Sequence, residues 1–217
     1  LVDGVYYILL RVYVNDTKII SIDDILFMLN SNDSIMDNNI IGRTDWVKLW
    51  SLKIDYFEYQ IGHLIKKHPY IYNTVDYYIG LGENAIEYIK ELSEEKMNTN
   101  LSVTHRRIGA NSTLFDLYNP LNLVIDYKVR DIAEYIKDVF FNSDIDVYKI
   151  LNELFSKAIF DKPTLSLLFS RLLFPSYYFD LYENILEMDL NENIILNIIK
   201  KSTSYEKFLY FLMQNWS

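Results

Sequence analysis

The side chains best suited to chemistry lie close together, between positions 101 and 131 of the sequence. They are polar or charged residues on and around predicted strands: His105, Arg106, Arg107, Asn111, Asp126 and Asp131. Between the loop at residues 105–111 and Asp126, the pattern predicts a β-hairpin with strands at Leu114–Tyr118 and residues 121–126. A polar loop, a hairpin and a carboxylate at the hairpin's end can together hold Mg²⁺ and a nucleotide for phosphoryl transfer.

Composition limits the kinds of protein that this chain can be. Its 217 residues are 50% hydrophobic, which is enough for one sizeable core, or for one domain and a fragment of another. The net charge is −9 and no basic patch is dense, so we expect no nucleic-acid partner. The absence of cysteine excludes disulfides and cysteine-based zinc sites, and it fits a cytoplasmic protein. No apolar run reaches the roughly 18–20 residues that span a bilayer, so we expect no membrane partner.

The remaining sequence predicts a mainly α fold with a small β element (α+β). Residues 5–14 are β-branched and aromatic, and with residues 18–21 they predict a hairpin or two edge strands. A long helix is expected at residues 45–67 with Thr44 as its N-cap, because its apolar residues recur at three- and four-residue steps. Residues 70–81 fit either a helix or extended chain. Other helices are predicted at residues 23–30, 83–92, 130–141, 144–157, 164–174, 177–187 and 192–216.

Two stretches carry a resemblance to a known family. YYIGLGENAI at residues 77–86 and IDYKVRDIAEYI at residues 125–136 resemble bacterial spore-coat proteins of the YutH/CotS type, within the aminoglycoside-phosphotransferase and choline-kinase-like superfamily. The resemblance covers about residues 46–137. It implies the C-lobe of a protein-kinase-like fold with a truncated N-lobe. Residues 1–42 would be a partial or degenerate N-lobe with a β-hairpin and a short helix. Residues 43–217 would be a helical C-lobe-like domain with the embedded hairpin at 114–126.

The same resemblance assigns roles to four of the polar residues. His105 matches the histidine of the superfamily's catalytic loop, and Asn111 matches its metal-binding asparagine. Asp126 matches the aspartate that ligates Mg²⁺ beside ATP. Asp131 matches a structural aspartate that caps the next helix and hydrogen-bonds the His105 loop. From the residues alone, the favoured interpretation of Asp126 is a turn or N-cap carboxylate before the next helix, and that of His105 is a buried imidazole that orients the loop. With the resemblance, the metal-binding role of Asp126 has equal weight.

Arg106 and Arg107 depart from the superfamily's pattern, which has Gly-Asp at these positions. That aspartate positions or deprotonates the acceptor hydroxyl, and an arginine cannot accept a proton because its pKa exceeds about 12. The two arginines are candidates for binding a phosphate or another anion bidentately. Alternatively, they pair with Asp126 or Asp131, in which case a guanidinium beside Asp126 replaces the cation that Mg²⁺ would supply.

Two functional hypotheses follow from these residues. The first is a pseudokinase: a kinase-like fold that has lost phosphotransfer and serves as a structural or interaction protein. It would act in the cytoplasm or the spore coat, with other coat or sporulation proteins as partners. The second is an active small-molecule phosphotransferase that uses ATP and Mg²⁺ with an unusual catalytic loop. The chain starts at Leu1 rather than at a methionine, which suggests a fragment whose beginning lies elsewhere.

Overall fold

The computed structural model describes four parts of the chain: residues 17–31, 41–64, 67–92 and 101–216. The strand predicted at residues 5–14 lies outside them. In chain order, the helices and strands are α1 (Ile22–Ser31), α2 (Trp46–Leu64), α3 (Pro69–Tyr72), α4 (Val75–Lys90), β1 (Leu101–His105), α5 (Leu114–Tyr118), β2 (Leu123–Tyr127), α6 (Val129–Asn142), α7 (Val147–Lys157), α8 (Lys162–Leu173), α9 (Ser176–Glu187) and α10 (Leu196–Trp216). The prediction of a mainly α protein with a small β element is confirmed.

Helix α2 forms because its apolar residues recur with helical period and a carboxylate caps its start. Asp45 Oδ1 accepts the backbone N–H of Lys48 at 3.0 Å, so Asp45 caps the helix and not the predicted Thr44. Four residues of the predicted apolar stripe are buried: Trp46, Trp50, Ile54 and Phe57. The first turn of α2 thus brings Trp46 against β2, where its ring meets Tyr127 edge-on with centroids 4.7 Å apart.

The prediction of a hairpin at residues 114–126 is wrong in its first strand, because Leu114–Tyr118 forms helix α5. Thr113 and Asp116 make a capping box there. Asp116 Oδ2 accepts the backbone N–H of Thr113 at 2.8 Å, and the Thr113 hydroxyl oxygen accepts the Asp116 N–H at 3.4 Å. This local pairing satisfies the free amides of the first turn, and it outweighs the strand-like apolar pattern.

Strand β2 pairs with β1, the strand that precedes the polar loop. The pairing is antiparallel, with Ser102 opposite Asp126 and His105 opposite Leu123. In this register the loop leaves the sheet at one end of β1. Asp126 lies three residues further along β2, opposite the second residue of β1.

Helix α6 crosses this sheet and is the most deeply buried helix near the site. Ten of its 14 residues are buried, and three of those are charged: Arg130, Asp131 and Lys137. A buried charge is costly without a partner, so each of these side chains must be paired inside the fold.

Most of the predicted helices are confirmed to within a few residues. Residues 70–81, which fitted either helix or extended chain, are helical and are divided between α3 and α4, with Pro69 at the first position of α3. None of the described helices combines the length and the apolarity that crossing a membrane requires. The likeness to a kinase C-lobe and the division at residue 42 stay predictions.

Candidate functional site

The loop after β1 is anchored to α6 through His105, which is 1% exposed. Its Nδ1 lies 2.6 Å from Asp131 Oδ2, and its backbone N–H donates to Asp131 Oδ1 at 3.0 Å. Its Nε2 lies 2.8 Å from the carbonyl oxygen of Leu117. Burial alone would lower the pKa of His105, but the hydrogen bond and charge of Asp131 outweigh it and raise that pKa. Both ring nitrogens face acceptors, so the imidazole is held in place and has no nitrogen free for a substrate.

Asp126 lies in β2 with none of its surface exposed. Its Oδ1 accepts the indole N–H of Trp46 at 2.7 Å and the backbone N–H of Tyr127 at 2.8 Å. Its Oδ2 accepts from Arg130 Nη1 at 2.6 Å. Burial raises the pKa of Asp126, and the positive charges of Arg130 and Arg171 oppose that rise. Both oxygens of the carboxylate are therefore bound by groups of the chain itself.

A guanidinium lies beside Asp126, but it belongs to Arg130. The alternative in which Arg106 or Arg107 pairs with Asp126 is therefore wrong. Arg130 is 5% exposed, and it also donates from Nε to the carbonyl oxygen of His105 at 2.8 Å. Its Nη2 donates to the carbonyl oxygen of Arg106 at 3.1 Å. One side chain thus joins the expected metal-binding carboxylate to the first two residues of the loop.

Arg106 and Arg107 lie on the solvent side of that loop. Asn122 holds their backbone: its carbonyl accepts the Arg106 N–H at 2.7 Å, and its Oδ1 accepts the Arg107 N–H at 3.1 Å. Asn111 is exposed in a shallow groove beside both arginines, and Asp126 does not line that groove. The structure therefore does not bring Asn111 and Asp126 to one metal site. Among the described residues, no cluster of three His, Asp or Glu side chains could hold a metal ion.

The tip of the loop is fixed by Asp138, two helical turns after Asp131 on α6. Asp138 Oδ2 accepts the backbone N–H of Ala110 at 2.7 Å, and Oδ1 accepts from Asn142 Nδ2 at 2.6 Å. A Cβ on Gly109 would lie 2.5 Å from Asp138 Oδ2, so only glycine leaves room for this contact.

A second charged group joins α6 to α8 and α9. Glu134 Oε1 lies 2.7 Å from both Lys137 Nζ and Arg171 Nε, and Lys137 Nζ also donates to Ser176 Oγ at 2.5 Å. Burial would raise the pKa of Glu134, but Lys137 and Arg171 lower it well below the usual value. Burial lowers the pKa of Lys137 to about 8, although Glu134 opposes that change.

A cleft of about 580 Å³ opens above these groups. Trp46 and Trp50 stack with ring centroids 5.0 Å apart, and Trp50 stacks on Phe174 at 4.2 Å. The guanidinium of Arg171 lies over both indoles, 5.1 Å from Trp46 and 5.6 Å from Trp50. The cleft has an aromatic wall, and Glu134 lines it beneath that guanidinium.

Sequence reasoning missed Arg130, Glu134 and Asp138, although a signal was present. With Asp131 they recur at three- and four-residue steps along α6, which marks one polar face of a helix. Arg130 also follows Asp126 by four residues. A charged face directly after a candidate metal ligand predicts that the ligand has partners within the chain.

Comparison with known proteins gives this chain a family. A sequence profile described as "Spore coat putative kinase YutH" matches residues 30–212. The chain belongs to the YutH spore-coat family. The endospore coat-associated protein YutH of Bacillus subtilis (strain 168) is 28% identical to it over 154 residues, which are 64% of this chain and 45% of that relative. The chain thus spans about half the length of the curated relative that it matches. No solved structure matches it.

The range that matches the YutH family includes the whole site described above, from Trp46 to Ser176. The recognition of a YutH-type spore-coat protein from the motifs at residues 77–86 and 125–136 is therefore confirmed.

Proposed function

We propose that this YutH-family chain is a kinase-like protein that does not transfer phosphate. It serves in the spore coat as a structural or interaction protein, with other coat or sporulation proteins as partners. The proposal combines the chain's family with the chemistry of the loop that follows β1.

The bound carboxylate of Asp126 is the observation that carries the proposal. A Mg²⁺ ligand must offer oxygen lone pairs to the ion. In Asp126 those lone pairs accept hydrogen bonds from Trp46, Tyr127 and Arg130. To admit Mg²⁺, the carboxylate would have to release Arg130, and the freed guanidinium would then lie beside a second cation.

The loop also offers no general base. Arg107 stands at the position of the superfamily's aspartate, and a guanidinium does not accept a proton at neutral pH. The neighbouring His105 is held on both ring nitrogens. A substrate hydroxyl bound at this loop would find no group there to position it for attack on a phosphate.

The coat assignment rests on the family. The Bacillus subtilis relative is described as an endospore coat-associated protein. A kinase-like domain that has exchanged its metal site for internal ion pairs keeps a rigid surface, and a rigid surface suits assembly with other proteins.

Thermal unfolding of the purified chain tests the proposal. The melting temperature is measured with ATP alone and with ATP plus Mg²⁺, and phosphate release is followed in the same samples. We expect no shift that depends on Mg²⁺ and no release of phosphate. A Mg²⁺-dependent rise of several degrees that disappears in Asp126→Asn would overturn the proposal, because it would show that Asp126 binds the metal.

A further inference from the structure

Arginine is distributed very unevenly in this chain. It has 15 lysines but only six arginines, and one arginine, Arg11, lies outside the described residues. The other five all line the cleft beside the two tryptophans: Arg43, Arg106, Arg107, Arg130 and Arg171. Among the described lining residues, lysine occurs once, as Lys53. Lysine supplies most of the positive charge elsewhere in the chain, whereas the cleft concentrates guanidinium groups, whose planar fork binds oxyanions bidentately.

Two of these five arginines have their partners inside the fold. Arg130 binds Asp126 and two loop carbonyls, and Arg171 binds Glu134. These two guanidiniums neutralise the carboxylates at the base of the cleft, so those carboxylates cannot also neutralise the arginines at its mouth.

The other three arginines have no such partner. In the described parts of the chain, the guanidiniums of Arg43, Arg106 and Arg107 make no hydrogen bond or ion pair. The backbone places them: the Arg43 N–H donates to the carbonyl of Ile125 at 2.8 Å, beside the strand that carries Asp126. Burial lowers the pKa of Arg43, and the positive charges of Arg130 and Arg106 lower it further. Like charges that line one end of the same cleft favour a bound anion there.

The opposite end of the cleft has a different character. Lys53 lies 2.7 Å from Asp180 and 3.4 Å from Glu183, so the lysine at that end is neutralised by α9. The unpaired positive charge is therefore confined to the end of the cleft next to the loop. In a protein with a net charge of −9, such a local surplus of cations marks a site for an anion.

We infer that Arg43, Arg106 and Arg107 form a metal-independent site for a doubly charged oxyanion, a phosphate group. A phosphate offers enough acceptor oxygens for three guanidiniums, whereas a single carboxylate offers two. The inference rests on the proposed function in one respect, because it assumes that the site works without Mg²⁺. The phosphate can be free or can belong to a small phosphomonoester, since the same three side chains would bind either.

Isothermal titration calorimetry with inorganic phosphate, in a buffer with EDTA and low salt, tests the inference. We expect saturable binding to the chain, weakened about tenfold or more by Arg43→Gln and by Arg106→Gln, because each removes a charge-assisted hydrogen bond. Arg106→Lys keeps the positive charge but loses the planar guanidinium. Its affinity for phosphate should therefore lie between that of the unmodified chain and that of Arg106→Gln. Lys149→Gln removes an exposed lysine of α7 outside the cleft and should bind as the unmodified chain does.

Further titrations distinguish a phosphomonoester from the free phosphate ion, and they define the results that would overturn the inference. Glycerol 3-phosphate that binds more tightly than inorganic phosphate indicates a phosphomonoester ligand, and the reverse order indicates the free ion. Acetate that binds as tightly as phosphate, equal weakening by Lys149→Gln, or no saturable heat would each overturn the inference. Phosphate binding that appears only when Mg²⁺ replaces EDTA would overturn both the inference and the proposed function. Absence of phosphate binding in both buffers would overturn the inference alone, so the two failures are distinguishable.

Discussion

The two sides of the loop after β1 have opposite chemistry. On the inner side, His105 is buried and meets Asp131, Arg130 meets Asp126, and each charged group has its counter-charge within 2.6 Å. On the outer side, Arg106 and Arg107 are exposed and their guanidiniums have no partner among the described residues. In this short segment, the charged side chains of the inner side are paired, whereas those of the outer side are not.

This difference is the reason for placing the proposed ligand site on the outer side. Charged groups that are paired within the fold are not available to bind a ligand unless an internal contact breaks. The inner side contains His105 and also Asp126, to which the resemblance assigns metal binding. Both are held in internal ion pairs, whereas the unpaired positive charge lies on the arginines at the surface. Substitutions on the two sides should therefore differ in kind: stability on the inside, ligand binding on the outside.

Replacing Arg130 should have the largest effect on stability. In Arg130→Gln the carboxylate of Asp126 stays buried without its counter-charge, and two loop carbonyls lose their donor. We expect a loss of about 3–5 kcal/mol in the free energy of unfolding, measured by urea denaturation. Arg106→Gln, one position from the same contacts but exposed, should change it by less than about 0.5 kcal/mol.

A double-mutant cycle shows whether the loss comes from the pair. If Asp126 is the partner that matters, Arg130→Gln should cost clearly less in an Asp126→Asn background than in the unmodified chain. Equal costs in both backgrounds would mean that Arg130 acts only through the loop carbonyls. The contrast between the paired inner side and the open outer side would then lose its main support.

The ion pair of His105 and Asp131 should appear in the pH dependence of stability. The folded pKa of His105 is raised above the ordinary value of 6.5, so the pair stabilises the fold fully below pH 6.5 and loses that contribution as the pH rises through the folded pKa. The lowered pKa of Lys137, about 8, acts in the opposite direction above that pH, so the useful window is pH 6.5 to 8. Urea midpoints should fall across this window.

The matched variant for that measurement is Asp131→Asn. It should lower stability at pH 6.5 by about 1–3 kcal/mol, because it removes the charge that holds the imidazolium and its backbone amide. It should also flatten the slope between pH 6.5 and 8. An unchanged slope would show that another group titrates in this range, and that His105 is not held as an ion pair.

Alanine substitutions at two glycines should change stability by smaller amounts, and the second substitution serves as a control for the first. Gly109→Ala places a methyl group against Asp138 and should cost about 1–3 kcal/mol in urea denaturation, because the carboxylate must leave the amide of Ala110. Gly80→Ala lies inside α4 with no atom within 4 Å of the new Cβ, and it should stabilise by about 0.5–1 kcal/mol. If both variants behave alike, the loop tip is not held rigidly by α6.

The sequence predicted the helices better than the site. The apolar residues of α2 and α6 recur with helical period in the sequence, and both segments are helices in the structure. The strand predicted at Leu114–Tyr118 failed because a capping box at Thr113 decided the local structure, and a short apolar run does not distinguish a strand from a helix.

Within the site, the sequence predicted one of the contacts and missed others. His105 and Asp131 come together as expected. The partner of Asp126 could not be chosen between several arginines, because the choice depends on where α6 crosses the sheet. That crossing is set by packing of the whole helix on its neighbours. The four-residue spacing of Asp126 and Arg130 favours their contact, but it does not fix where the helix crosses the sheet.

Arg107→Asp should have the smallest effect on stability and the most informative effect on function. It places an aspartate two positions after His105, where the superfamily that the sequence resembles has one. Because the side chain at position 107 is exposed, the free energy of unfolding should change by less than about 0.5 kcal/mol. If the chain is inactive, as proposed, and only this acid is missing, the variant would hydrolyse ATP with Mg²⁺. We expect none, since Asp126 remains bound to Arg130, and a steady-state assay of phosphate release checks this. Phosphate binding should weaken at the same time, because the variant places a negative charge among the arginines of the outer side. Turnover of ATP by Arg107→Asp would mean that the inner side opens readily, and that one substitution separates this chain from an active phosphotransferase.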